Sequence, residues 1–386
     1  MTFGIMMLIG LVSIVCTFIF NSHQAWSNLL WANFFFMGIA LVMVFFMAVQ
    51  YVAEVGWSAM IMRVPEAMSQ WLYVAMPIML IIVLAGVFHQ HHLWHWMDDS
   101  LYEEGGAHYD AIIAGKSGFL NKPFFIIRVL LYSLIWCGFA YYFRKRSLAE
   151  EEEGGVSIHK RNITLGAVFL VLFGISTSVM AWDFIMSIDT HWFSTLFGWY
   201  TFSGIWVSGL SMMAMIIVFL KRKNLLQDVT EHHLHDVGKF MFAFSVFWTY
   251  LWFSQFMLIW YSNLPEEVVY FRTRFEHYRW PVWIAFFLNF VFPFLILMTR
   301  DAKRKMNTLL IGGTIILCGH LLDNWNMITP GAMSSFGHHW QFSFMEVGTV
   351  IGFLGGFLYV TFNSLAKAKL VREKHPMMIE SAQHSI

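Results

Sequence analysis

Apolar residues in this chain fall into ten blocks, each long enough to cross a membrane. A transmembrane helix needs about 20 apolar residues, because the helix rises about 1.5 Å per residue and the hydrocarbon core is about 30 Å thick. The blocks predict spans at about 3–20, 29–52, 70–90, 124–143, 163–186, 196–220, 239–262, 281–299, 308–326 and 345–366. The pattern therefore predicts an all-α integral membrane protein whose ten transmembrane helices form one domain, 1–366, followed by a polar tail, 367–386.

The composition fits a membrane protein and narrows its chemistry. Charged residues make up 12% of the 386 residues, against about 25% in ordinary soluble domains. The formal net charge is zero, so nothing indicates nucleic-acid binding. Cys16, Cys137 and Cys318 lie in separate apolar blocks and lack the spacing of a c-type haem or an iron–sulfur cluster. We therefore expect this chain to bind no redox cofactor through these cysteines, and any redox centres to be carried by other chains.

The distribution of Lys and Arg predicts the orientation. An even number of spans places both termini on one side, and 18 of the 24 Lys and Arg residues fall on that side. By the positive-inside rule, both termini and the tail are predicted to be cytoplasmic. The external side then carries two long loops, at about 88–123 and 327–344. Loops of this length often have a function or bind a partner.

Several ionisable side chains lie within or at the ends of predicted spans, where a charge costs roughly 2.5–3.5 kcal/mol at a helix centre. They all lie toward the external side: His89, Asp183, His320, Asp323 and Glu346. The cytoplasmic halves of the spans carry few such groups, and the internal loop 144–162, with its acidic run 150–153, is predicted to be a solvated connector. This asymmetry predicts a polar, partly hydrated cavity that opens to the external side. The alternative is that each group caps a helix end or contacts a loop.

The segment 182–200, between the fifth and sixth spans, concentrates candidate chemistry. It contains Asp183, Asp189 and His191 together with three tryptophans. An ionisable residue inside a span is a candidate functional group. His320 and Asp323 are three residues apart in the ninth span and so share a helix face.

Histidines offer two metal hypotheses, and the sequence favours neither. The external loop contains His89, His91, His92 and His95, but no further ligand follows at a spacing typical of zinc sites. His89 and His320 could be opposed as axial ligands of a b-type haem, although axial histidines are only one requirement of a haem pocket. Structural roles are favoured, and no metal site is predicted.

Three segments resemble one family of respiratory membrane proteins. They are Ala181–Tyr200, Lys239–Tyr261 and Asn263–Glu267, with further likeness at Lys116–Asn121 and Gly319–His320. The segments resemble the F-type membrane component of alternative complex III, a bacterial quinol:electron-acceptor oxidoreductase. That component is itself similar to the ten-span membrane anchor of polysulfide reductase.

The resemblance implies a chain that works inside a complex in the bacterial inner (cytoplasmic) membrane. Implied partners are a sister ten-span membrane protein, an external iron–sulfur protein, multihaem cytochromes c, smaller membrane-anchored proteins, membrane lipids and, as an optional partner, a terminal oxidase. Haem c and iron–sulfur clusters would belong to those partners, and this chain would not be catalytic alone. The resemblance also implies two four-helix bundles, spans two to five and six to nine, flanked by spans one and ten.

Three roles within such a complex remain open. In the first, buried carboxyls carry protons while partners oxidise quinol; the candidate relay residues are Asp183, His320, Asp323, Glu346, Asp189 and His191. In the second, the chain is a scaffold that docks external proteins through its long loops. In the third, His89, Asp183 and His320 form a second pocket for menaquinone, another quinone or a lipid. A stand-alone transporter is less well supported, because no paired glycine-broken helices lie at the midplane.

Overall fold

A computed structural model describes residues 1–154, 156–334 and 343–385, and within these ranges the regular structure is helical with no strand. Within the same ranges, ten helices are long and apolar enough to cross a membrane, which confirms the predicted fold class. These spans are Thr2–Phe20, Ser22–Val52, Arg63–Val87, Lys122–Glu153, Val156–Ile188, Leu196–Arg222, Glu231–Ser262, Arg279–Leu297, Met306–Ala332 and Phe344–Leu365. We call the side that carries Met1 the terminal face and the opposite side the distal face.

Several helices extend beyond their apolar blocks, and span four shows why. The Asn121 side chain caps its start by accepting from the Phe124 N–H, and Pro123 occupies the first turn. The helix continues through a charged stretch rich in good helix formers until Gly154, whose φ of 70° ends it. Hydropathy marks only the apolar part of a helix, so it underestimates the length of helices that continue into polar ends.

The spans pack as two bundles with the same internal pattern. In the first bundle span two packs against spans three and five, and span four packs against the same two. The second bundle repeats this pattern: span six packs against spans seven and nine, and span eight packs against the same two. The bundles meet where span two contacts spans six and nine and where span five contacts span six. Span nine therefore takes the place in its bundle that span five takes in the other.

Spans one and ten pack along each other as a pair, and span ten also contacts spans two and three of the first bundle. Glycines allow this close approach: a Cβ at Gly10 would lie 2.3 Å from Cα of Gly352. Small residues at a crossing let membrane helices pack backbone to backbone. The pair thus flanks the first bundle in particular.

A buried ionic network lies on the terminal face, where the sequence pattern predicts few ionisable groups. Its centre is Glu66, fully buried near the start of span three. Glu66 accepts from Arg63 at 2.9 Å, from Arg144 at 3.1 Å and from the Ser147 hydroxyl at 2.5 Å. Arg372 lies 3.6 Å from the same carboxylate. The charges are tolerated because each is paired, which the hydropathy pattern does not reveal.

Half of the acidic run at the end of span four belongs to this network, so the assignment as a solvated connector is wrong for Glu150 and Glu151. Glu150 is fully buried and lies 3.3 Å from Arg372, while Glu151 pairs with Arg63. Arg372 also donates to the Tyr51 hydroxyl at 2.9 Å. Glu150 and Glu151 therefore tie span four to the tail and to span three.

The polar tail packs into the membrane domain and does not stand apart from it. Arg372 is buried in the network, and Ser381 is buried against residues 57–60, where its hydroxyl donates to the Trp57 carbonyl. His384 lies 2.6 Å from Asp236 at the start of span seven. The tail therefore joins both bundles on the terminal face.

Replacing Glu66 by Gln should destabilise the protein severely. The change leaves three guanidinium groups around a neutral amide, and breaking a buried ion pair typically costs about 3–5 kcal/mol. The free energy of unfolding in detergent should fall by about this amount. Glu373→Gln, an exposed position paired with Lys369, is the control and should leave stability nearly unchanged. Equal stability of Glu66→Gln and the control would contradict the central role of Glu66.

Candidate functional site

Asp323 lies buried in the second bundle, held by two aromatic side chains. Span nine places it opposite spans six and seven, which supply Tyr200 and Trp248. The Tyr200 hydroxyl donates to Oδ1 at 2.5 Å, and the Trp248 indole N–H donates to Oδ2 at 3.2 Å. Both donors are neutral. Among the described residues no Lys, Arg or His lies within salt-bridge distance of Asp323.

A narrow cleft reaches this carboxyl between the helices of the second bundle and the distal helix Pro265–His277. Its volume is about 30 Å³, room for about two water molecules. Arg274 of the distal helix also lines the cleft, but its Nη2 donates to Asp189 at 3.0 Å and its Nε to the Asn326 carbonyl at 3.0 Å. The guanidinium is therefore engaged elsewhere, and water is the natural occupant beside Asp323.

His320 lies one helical turn from Asp323, near the middle of span nine. The ring is fully buried, and neither nitrogen has a hydrogen-bond partner among the described residues. It packs edge-on against Trp248, with 5.2 Å between the ring centroids. Gly204 leaves space beside it, since a Cβ there would lie 3.4 Å from Nδ1. Trp248 thus contacts both His320 and Asp323.

A second unsatisfied group packs against the residue that precedes His320 in span nine. Asn289 is fully buried, and neither atom of its amide group has a partner among the described residues. It packs against Gly319, where a Cβ would lie 2.1 Å from Oδ1. Asn289 belongs to a π-helical segment, Phe287–Val291, that interrupts span eight. Such bulges are frequent at functional sites.

Asp183, the matching carboxylate of the first bundle, has a different environment. Arg128 of span four binds it through two hydrogen bonds of 2.8 Å, and the Tyr132 hydroxyl donates a third at 2.6 Å. The guanidinium also stacks over Phe119 and Phe124, about 4 Å from each ring centre. This is a complete, satisfied ion pair.

Three other candidates make structural contacts. Glu346 closes a capping box with Ser343 at the start of span ten and accepts from Asn28 at 3.1 Å. Asp189 pairs with Arg274, and exposed His191 lies 2.6 Å from Asp110. The alternative of helix-end and loop contacts therefore describes the surroundings of these residues.

The three residues of the hypothetical quinone pocket have separate neighbours. His89 is half exposed and lies 3.3 Å from Lys122, Asp183 is enclosed by Arg128, and His320 packs on Trp248. Asp183 and His320 belong to different bundles. No hydrogen bond links any two of the three among the described residues. The histidines and tryptophan at 338–340 lie outside the described residues.

Sequence reasoning missed the partners that distinguish the two carboxylates. In the sequence, Arg128 and Arg274 are two of the 24 Lys and Arg residues that were counted for orientation, and Tyr200 and Trp248 are members of aromatic segments. One signal was available: Arg128 lies inside the apolar block of span four, where a lone cation needs a buried anion. No sequence pattern singles out Asn289, because its position against Gly319 depends on the π-helical segment Phe287–Val291.

No protein-family model matches the sequence, and no curated protein matches it.

Arg128 and Asp183 should behave as one coupled unit. Asp183→Asn and Arg128→Gln should each lower the free energy of unfolding by about 3–5 kcal/mol, because each leaves the other charge buried alone. The double variant should lose about 1–3 kcal/mol less than the sum of the two. Tyr132→Phe, which removes one hydrogen bond, is the milder control. Additive losses would show that the two side chains are not coupled.

The distal loop should loosen in mild acid because of His91. Its Nε2 donates to the Ile82 carbonyl at 2.9 Å and its Nδ1 accepts from the Leu93 N–H, so the ring is held neutral. Burial lowers the pKa of His91 to about 4. The unfolded chain, with a pKa near 6.5, therefore binds more protons between about pH 6.5 and 4, and stability falls as the pH drops through this window.

The expected contribution is a loss on the order of 2 kcal/mol between pH 7 and 5. Thermal unfolding of the wild type should show this loss, whereas His91→Gln should lose less over the same interval. His108→Gln, at an exposed loop position, is the control and should follow the wild type. A His91→Gln profile parallel to that of the wild type would contradict the prediction.

Proposed function

We propose that this chain is an integral membrane subunit of a respiratory quinol:cytochrome c or other electron-acceptor oxidoreductase of the alternative complex III type. Within it, Asp323 and His320 exchange protons with water on the distal face while partner proteins oxidise quinol. The terminal face would be cytoplasmic, in a bacterial inner membrane. The residue motifs of spans five to seven support the family, and the environment of Asp323 supports the proton role.

One observation supports the proton role. Asp323 is a buried carboxyl that no described cation pairs with, and it borders a cleft large enough for water. Burying a carboxylate is costly unless a positive charge compensates it. Asp183 has such a charge in Arg128, but the donors that Asp323 has among the described residues are both neutral. Protonation therefore removes an uncompensated charge at Asp323, whereas at Asp183 it would break a satisfied ion pair.

His320 and Asn289 extend the polar positions from Asp323 into the bundle. His320 is one turn closer to the terminal face, and Asn289 packs beside the backbone of Gly319. Each can donate and accept hydrogen bonds, and each is unpartnered among the described residues. A proton arriving at Asp323 from cleft water thus has a second acceptor in His320.

The size of the cleft argues for protons over a quinone at Asp323. Ligand pockets usually have volumes of about 300–1,000 Å³. A cleft of about 30 Å³ admits water but not an aromatic headgroup without rearrangement. Redox cofactors would then lie in partner proteins, consistent with the absence of cysteine motifs in the sequence.

A scaffold role is favoured by one observation on the distal face. The loop between spans three and four is anchored by buried Trp94 and Trp96, and its Asp110 reaches His191 of the loop between spans five and six. The contact between Asp110 and His191 joins these two loops into one surface. Docking of external proteins there is compatible with proton exchange at Asp323.

Asp323→Asn tests the proton role. The complex would be purified from its own membranes, reconstituted in vesicles and assayed for quinol oxidation and for protons released per electron. Asp323→Asn should lower proton release per electron, and turnover coupled to it should fall by about 10²-fold, the lower range for a lost acid–base group. Asp301→Asn, an exposed carboxyl on the terminal face, is the control and should match the wild type.

Three outcomes of this assay separate the hypotheses. Unchanged proton release in assembled Asp323→Asn complexes would exclude the proton role and leave the scaffold. The protein content of the purified complex distinguishes a loss of assembly from a loss of proton release. If Asp323→Asn does not assemble, Asp323→Glu, which keeps the carboxyl, should assemble and retain proton release. Absence of co-purifying redox proteins with the wild type would overturn the assignment to an oxidoreductase.

A further inference from the structure

Three potential metal ligands from separate segments meet in a buried cluster on the terminal face. They are Glu150 near the end of span four, His159 in the first turns of span five and His375 in the tail. One ligand atom from each lies within 4.8 Å of the other two. It is the only group of three or more such side chains at this spacing in the part of the chain that the structure describes.

The ligand atoms in this cluster are also unsatisfied. Both ring nitrogens of His159, Nε2 of His375 and Oε1 of Glu150 are buried without a hydrogen-bond partner among the described residues. Buried polar atoms nearly always have partners, so each exception needs an explanation. Several exceptions converging at one point indicate a bound group that satisfies them together.

We propose that Glu150, His159 and His375 bind a divalent transition-metal ion, with zinc as the best match. Two imidazole nitrogens and one carboxylate oxygen form a known type of zinc ligand set. Since no two of the atoms are more than 4.8 Å apart, each would move by less than an ångström to reach the usual ligand lengths of about 2.0–2.2 Å. The ion would clamp the tail to the junction of spans four and five.

Neighbouring groups complete the environment of the ion. Arg372 uses Nη1 to contact Tyr51 and Glu150, whereas its Nε and Nη2 are unpartnered among the described residues. Glu150 engages Arg372 through Oε2, which leaves Oε1 for the metal. The Met377 N–H donates to Nδ1 of His375 at 3.1 Å, so metal binding through Nε2 moves the ring hydrogen to Nδ1 and replaces this bond.

The site is independent of the proposed proton role. Its residues lie on the terminal face, at the first bundle, while Asp323 lies in the distal half of span nine in the second. The ion is therefore structural: it holds His375, and through it the segment that carries Arg372 into the ionic network. The sequence could not predict the site, because its ligands are 9 and 216 positions apart and meet only when the tail folds back.

The first test measures metal in the full chain purified from native membranes with its partners retained. Mass spectrometry of the metal content should find zinc close to one ion per chain. In His159→Ala and His375→Ala the zinc content per chain should fall by more than about tenfold. His384→Ala is the matched control, a tail histidine bonded to Asp236 outside the cluster, and should keep its zinc.

A second measurement covers variants that fold poorly. His375→Cys keeps a zinc ligand and should retain the metal, and cobalt added to metal-depleted wild type should give the visible absorption of a tetrahedral site. Chelation should speed tryptic cleavage of the tail in the wild type, and added zinc should reverse this. The proposal is overturned if the wild type neither contains zinc nor takes up zinc or cobalt. It is also overturned if His384→Ala loses metal as completely as His375→Ala.

Discussion

A charge buried in an apolar bundle must be compensated, and this constraint determines the surroundings of Glu66, Asp183 and Asp323. Taking an ion out of water costs several kcal/mol even after relaxation, so it persists only with partners of opposite charge and further hydrogen bonds. On the terminal face three guanidinium groups surround Glu66, and the tail supplies one of them. The tail is therefore part of the fold, and charge pairing determines where it is held.

The same constraint separates two carboxylates at related positions. Spans five and nine take equivalent places in two bundles with the same packing, and each carries an aspartate in its distal half. Asp183 is compensated by Arg128 and fixed. In the part of the chain that the structure describes, Asp323 is held by the neutral donors Tyr200 and Trp248, next to a cleft with room for water. Two bundles of the same architecture thus hold one static ion pair and one carboxyl suited to exchange protons.

Much of the fold could be predicted from sequence, but little of the site. Ten apolar blocks are enough to predict ten spans, because membrane helices must satisfy their backbone internally and need a fixed apolar length. Asp183 and Asp323 could be singled out by the cost of burial, yet their different environments depend on Arg128 and Trp248, which are far away in sequence. The buried network around Glu66 was missed because its members look like ordinary helix-end charges until the tail folds onto them.

Infrared difference spectroscopy tests the central contrast most directly. A downward pH step, applied to the purified chain, should produce a protonated-carboxyl C=O band that shifts on exchange into heavy water. We expect this band to disappear in Asp323→Asn and to persist in Asp183→Asn. A band that survives in Asp323→Asn, or that disappears in Asp183→Asn instead, would contradict the assignment of Asp323 as the proton-exchanging carboxyl.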